Sequence, residues 1–197
     1  MSRAYDMTQR AQATAETAER IASSTEALLA SGPIADVTLQ AIARGADVTV
    51  QTVLRHMGSR EGCFDAVRER LKVRIDTQRG HVRAGDIDGA LDGLLTHYEA
   101  EGRLILNLVA QETTDAFSHE AAEKGRAYHR AWVEHCFGPQ LPKRERAPIV
   151  DALVVATDLS VWKLLRLDLR RSVAATKATM ARLVRAVLTT TTQSERT

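Results

Sequence analysis

Apolar side chains recur three and four positions apart along this chain, and that period constrains its fold more than any other feature. Ala18, Ile21, Ala22, Thr25, Leu28 and Leu29 form one such stripe, which ends at Gly32 and Pro33. Glycine suits the residue after a helix, and proline cannot continue one. The composition agrees, since aromatics are only 4% and prolines only 4 residues, while Ala, Leu, Val and Arg recur throughout. A chain of 197 residues buries about 70% of its unfolded surface, so it needs neither a disulfide nor a metal to fold. With 44% hydrophobic and 26% charged residues it is neither disordered nor fibrous.

The pattern predicts an all-α chain. The first dozen residues are polar and expected to fray. Thr38 should cap a short helix with Leu39, Ile42, Ala43 and Ala46 inward, and Thr49 another from about Val50 to His56. Gly58 closes it, and Ser59 caps a longer helix over residues 59–78 that carries Phe64, Val67, Leu71 and Ile75. Helices are then expected over residues 86–101, 104–109, 114–137 and 148–167, and from Val173 to about Leu188. Residues 138–143 read as a loop, and Arg170 to Ser172 as a break. The helix over 148–167 is apolar on most of its circumference and calls for cover on nearly all sides; a second copy of the chain is the economical source.

Several function classes find no support. The most apolar stretch, 149–162, is interrupted by Asp151 and Asp158, so no membrane span is expected. The first residues hold no apolar segment of a secretory signal. Cys63 and Cys136 lack metal-ligand spacing and read as reduced thiols, as in a cytoplasm. His119, His129 and His135 read as scattered surface residues, since 129 and 135 are not spaced as a ligand pair on one helix face. No nucleophile elbow, glycine-rich phosphate loop or zinc-protease motif occurs, so neither an enzyme nor a cofactor is expected. Charge is unevenly spread. Residues 44–83 carry more basic than acidic side chains, and residues 85–142 hold ten acids against Arg103, Lys124, Arg126 and Arg130.

The most specific signal lies in residues 38–67. Two short helices, each opened by threonine and joined by about three residues, have the spacing of a helix-turn-helix. The run TLQAIARGADVTVQTVLRHMGSREGCFDAV resembles the N-terminal domain of TetR-family transcriptional regulators. The matching positions are Thr38, Ile42, Ala43, Ala46, Val48, Thr49, Thr52, Ser59, Arg60 and Glu61. Asp47 stands where the family has its turn glycine, and Leu54 where it has a tyrosine. Asp tolerates a left-handed backbone, so the turn is expected to survive. Gly62 and Cys63 replace Glu and Leu, which should weaken the first turn of the following helix.

The resemblance implies a three-helix DNA-binding domain over residues 1–58. Through the helix 59–78 it leads into a helical ligand-binding and dimerisation domain over 59–197. It implies a cytoplasmic homodimer, joined through its two C-terminal helices, that acts as a repressor on a near-palindromic double-stranded operator and is released by a small-molecule effector. Geometry and resemblance together assign Thr38, Thr49, Thr52, His56 and Arg60 to phosphates, and Val50, Gln51, Leu54 and Arg55 to base edges. The effector pocket falls to Leu94, Tyr98, Leu106, Tyr128, Trp132 and Cys136, which mix apolar surface with a few polar tips. The alternative is a protein that keeps this fold for interaction or ligand binding and has lost its operator; Leu54 and Gly62 raise it.

Overall fold

Side-chain caps decide where the helices of this protein begin. The computed structural model describes residues 2–141 and 146–194, and every regular element among them is helical. The elements are α1 (Ser2–Ser31), α2 (Leu39–Gly45), α3 (Val50–Met57), α4 (Arg60–Arg79), α5 (Ile87–Ala110) and α6 (Ala116–Phe137). They continue as α7 (Arg146–Ala156), α8 (Leu159–Lys163), a π turn (Leu164–Asp168) and α9 (Val173–Ser194). No helix among the described residues is long and apolar enough to cross a membrane.

By internal contacts the chain forms two units. The first comprises Met1–Val73 and Asn107–His119, the second Arg74–Leu106 and Glu120–Thr197. In the first unit Ile21, Leu29, Ile42, Val53, Cys63 and Val67 make the core, each at most 1% exposed. The end of α5 belongs here: Asn107 Nδ2 donates to the carbonyls of Leu29 and Gly32, and Gln111 Oε1 accepts from the Ile34 amide. In the second unit Leu91, Leu94, Val133, Cys136, Phe137, Leu153, Met180 and Val184 lie within one apolar cluster.

Four expectations are corrected. The first residues are helical from Ser2 rather than frayed, and Arg3, Ala4, Gln9, Arg10, Ala11 and Gln12 are all good helix formers. The helices expected over 86–101 and 104–109 are one, α5. Gly102 does not break it: a Cβ there would lie 2.6 Å from the Trp162 ring, so the missing side chain makes room for the indole. The helix expected over 148–167 is interrupted. Thr157 Oγ1 bonds back to the Leu153 carbonyl, and Asp158 Oδ1 accepts the Ser160 amide and opens α8. Local capping there overrides the apolar period. Beyond it the chain widens into the π turn, held by Glu99, which accepts from Trp162 Nε1 at 2.7 Å and from Arg166 Nε and Nη2 at 2.7 Å each. The expected loop over 138–143 begins as a 3-10 turn, Gly138–Gln140; Pro142 and Lys143 lie outside the described residues.

Gly62 is the fourth correction. Ser59 Oγ accepts its amide at 3.0 Å, so the first turn of α4 is capped. A Cβ on Gly62 would fall 1.9 Å from the Met57 carbonyl oxygen. The glycine is what lets α3 and α4 approach, rather than a weak point. Gly62→Ala should therefore destabilise the protein by about 1–3 kcal/mol, despite the better helix propensity of alanine. A thermal melt checks this, and an unchanged or raised Tm would contradict it.

Candidate nucleic-acid interface

The turn between α2 and α3 is built as its residue types require. Thr38 Oγ1 accepts the Ala41 amide at 3.1 Å, and Thr49 Oγ1 accepts the Thr52 amide at 3.2 Å. Between them Asp47 takes φ 53°, the left-handed conformation that glycine favours and aspartate tolerates. Ile42, Ala43 and Val53 lock the pair from inside, and Val48 is half-buried.

This geometry leaves one face of α3 outward. Gln51, Leu54 and Arg55 are exposed, and Val50, Thr52 and His56 are partly so. Thr38 and Thr49 are exposed at the two helix starts, with the Thr49 and Thr52 hydroxyls 3.0 Å apart. The amides of Val50 and Gln51 precede the first intrahelical bond, so the start of α3 offers donors and a positive dipole end to an anion.

Arg60 is placed differently from the rest of that set. Its Nε donates to the Val37 carbonyl at 2.6 Å and its Nη2 to the Ile34 carbonyl at 2.5 Å, with the guanidinium 4.5 Å from the Phe64 ring centre. It braces the segment that leads into α2. Other basic residues of 44–83 are also engaged within their own units. Arg70 meets Glu19 and Glu26, Arg68 lies over Phe117, and Arg74 holds Glu101 through Nε and Nη2 at 2.6 and 3.1 Å. Arg44 and Arg55 remain exposed near the helix-turn-helix.

The six residues expected to form an effector pocket share one cluster of the second unit. Leu94, Tyr98, Trp132 and Cys136 are buried, and Leu106 and Tyr128 pack partly buried against them. The Tyr98 hydroxyl donates to the Thr157 carbonyl at 3.0 Å. The Tyr128 hydroxyl reaches Asp76 Oδ1 at 3.4 Å. Burial pushes the Cys136 thiol up to about 11, and it raises Tyr98 as well. Three polar residues of this cluster escape a sequence reading. Arg79, counted with the basic segment, is 3% exposed; His97 is 3% exposed and His129, expected at the surface, 7%. Arg79 Nη2 donates to His129 Nδ1 at 2.9 Å, and its guanidinium carbon lies 4.2 Å from the Trp132 ring centre. Positions 97 and 129 fall on the inward faces of α5 and α6, the one signal the sequence held.

An all-helical chain whose first unit presents a capped, outward-facing helix after a tight turn has the architecture of a helix-turn-helix DNA-binding protein. Residues 21–67 match the family described as bacterial regulatory proteins, tetR family, and this segment is a TetR-family DNA-binding domain. Among solved structures, a transcriptional regulator from Rhodococcus sp. Rha1 is similar over 87% of this chain and 96% of its own, with a TM-score of 0.68 at 16% identity. At that identity the likeness is one of fold. Among curated proteins none matches the chain.

The buried histidines make stability depend on pH. Burial, with the Arg79 charge as the next cause, lowers His97 from 6.5 to about 3 and His129 from 6.5 to about 4. Both stay neutral in the folded protein while the unfolded chain takes up protons below about pH 6.5. Their contribution is fully present above that pH and is lost as pH falls toward their folded values, by up to about 1.4 kcal/mol per unit for each. Urea midpoints should drop between pH 6.5 and 5, above the range where carboxylates titrate. A flat midpoint across that window would contradict the assignment.

Proposed function

We propose that this protein is a dimeric, effector-responsive transcriptional regulator, a repressor of the TetR type, acting in the cytoplasm on a near-palindromic operator. The observation that carries the reading is the outward face of α3, with Gln51, Leu54 and Arg55 exposed beside a threonine-capped helix start. Gln51 is assigned to adenine, Arg55 to guanine, and Leu54, with Val50 beside it, to a thymine methyl. Thr38, Thr49, Thr52 and His56 position the phosphates, and Arg60 acts by holding the entry to α2. The resemblance in fold to a protein titled a transcriptional regulator supports this reading.

The functional division is a DNA-binding domain over residues 1–58 and a ligand-binding and dimerisation domain over 59–197, joined through α4. Dimerisation is supported by large apolar side chains left exposed on the C-terminal elements: Val155 at 65%, Leu164 and Leu169 at 51%, and Leu183 at 42%. Burying such side chains against a second copy gives each about 25 cal/mol per Å². Two α3 helices spaced about 34–36 Å apart would then enter successive major grooves. An effector releases DNA by preferring a conformation with the wrong head spacing, and it can shift the equilibrium only by its differential affinity.

A second reading, a protein-interaction module without an operator, is favoured by one observation: Leu54, at 37% exposed, gives α3 an apolar surface residue. Selection from a random DNA library separates the two, since only a regulator enriches a palindromic site. On the enriched site Gln51→Ala should cost about 1–3 kcal/mol at one base pair in each half-site and relax preference there. A uniform loss over all sequences would remove Gln51 from the base readers. Leu183→Arg should shift the sedimenting species from dimer to monomer, and an unchanged dimer would place the interface elsewhere.

A further inference from the structure

Arg79 ends α4 inside the second unit, and among the described residues no carboxylate pairs with its charge. Arg74, five residues earlier, shows the ordinary arrangement, a guanidinium clasped by both oxygens of Glu101. Arg79 instead stacks its guanidinium over Trp132 and Tyr128, at 4.2 and 5.2 Å from the ring centres. Among the described residues its guanidinium makes one hydrogen bond, from Nη2 to His129 Nδ1.

The protonation of His129 follows from its neighbours. Thr157 Oγ1 donates to the Leu153 carbonyl at 2.7 Å, so His129 Nε2–H donates to that hydroxyl at 3.1 Å. Nδ1 is then the acceptor and the ring is neutral, so His129 brings the arginine no opposite charge. Asp158 acts on His129 and Tyr98 at a distance, but its Oδ1 is committed to the Ser160 amide.

Three buried polar atoms of this cluster have no hydrogen-bond partner among the described residues: Arg79 Nε, Trp132 Nε1 and His97 Nδ1. Two of them can only donate. Burial lowers the Arg79 pKa, and no carboxylate is among the groups that oppose that fall. Native proteins rarely leave such donors unsatisfied in the interior, and a buried guanidinium without a counter-ion is the costliest case.

We propose that this cluster is a carboxylate-binding site, in which the Arg79 guanidinium holds the acid group of a small organic acid. One planar guanidinium suits one planar carboxylate. A phosphate dianion would call for further cations, and both histidines here are held neutral. The acid's body is apolar, because the guanidinium lies against the Tyr128 and Trp132 rings, which belong to or pack on the apolar cluster of the second unit. The inference deepens the effector reading and rests on it for its regulatory meaning.

The test uses the full chain without DNA, so it stands apart from operator binding. Thermal unfolding is followed with millimolar sodium benzoate, sodium octanoate, the neutral analogue benzamide, and sodium chloride as the ionic control. The expected result is a rise of several degrees with one or both acids and none with benzamide or chloride. Arg79→Met should abolish the rise, and without ligand it should melt no lower than the parent because it removes an unpaired buried charge. Arg79→Lys, which keeps the charge and loses the fork, should give a reduced response. The proposal is overturned if neither acid raises the Tm, if benzamide matches benzoate, or if Arg79→Met keeps the response. It is also overturned if ligand-free Arg79→Met melts well below the parent, which would make Arg79 a structural brace. A carboxylate response from a protein that enriches no DNA site would leave this site standing and remove the operator reading.

Discussion

Arg60 ties together the two ends of the helix-turn-helix. It sits at the first position of α4, which leaves the motif, and donates to the carbonyls of Ile34 and Val37, which lead into it. A guanidinium bonded to two carbonyls and covered by Phe64 is a charge-assisted clamp in a partly buried setting. It fixes the backbone just ahead of the Thr38 cap and so sets where α2 begins. The turn at Asp47 then fixes α3 against α2. The exposure of Gln51 and Arg55 is the consequence of these two constraints rather than a property of α3 alone.

The distribution of charge makes the same point. A basic bias over residues 44–83 suggests a polyanion-binding surface, yet most of those side chains serve the fold. Arg68 and Arg70 brace the first unit, Arg74 is paired with Glu101, and Arg79 is buried. What remains for DNA is a few exposed cations, hydroxyls at two helix starts and the dipole of α3. Such an arrangement relies on geometry and oriented donors more than on a field of positive charge. Among the described residues Arg79 is a buried cation with no carboxylate partner, and it belongs to the second unit.

The parts legible in the sequence were those governed by local rules. Thr38, Thr49 and Ser59 announce helix starts, and all three cap through their hydroxyls. Asp47 announces a left-handed turn and takes one. Readings failed where a tertiary neighbour reversed a local preference. Gly102 looks like a break until Trp162 is seen against it, and Gly62 looks like a defect until the Met57 carbonyl is seen beside it. Arg79 and His129 look solvated because charged and polar residues usually are; only the packing of α4, α5 and α6 residues within the second unit shows them buried. The six residues assigned to an effector do gather in one cluster, but the polar atoms that give it chemical character belong mainly to residues outside that set.

The most direct test of the central claim is fluorescence-anisotropy binding of the full chain to DNA flanking its own gene, over a salt series. Random DNA of equal length is the comparison. The account predicts tight binding to one flanking site, a salt slope of several phosphates, and a specificity ratio of about 10³ or more over random DNA. Equal affinity for both DNAs, or no binding at low salt, would contradict it and leave the helix-turn-helix as a surface for another partner.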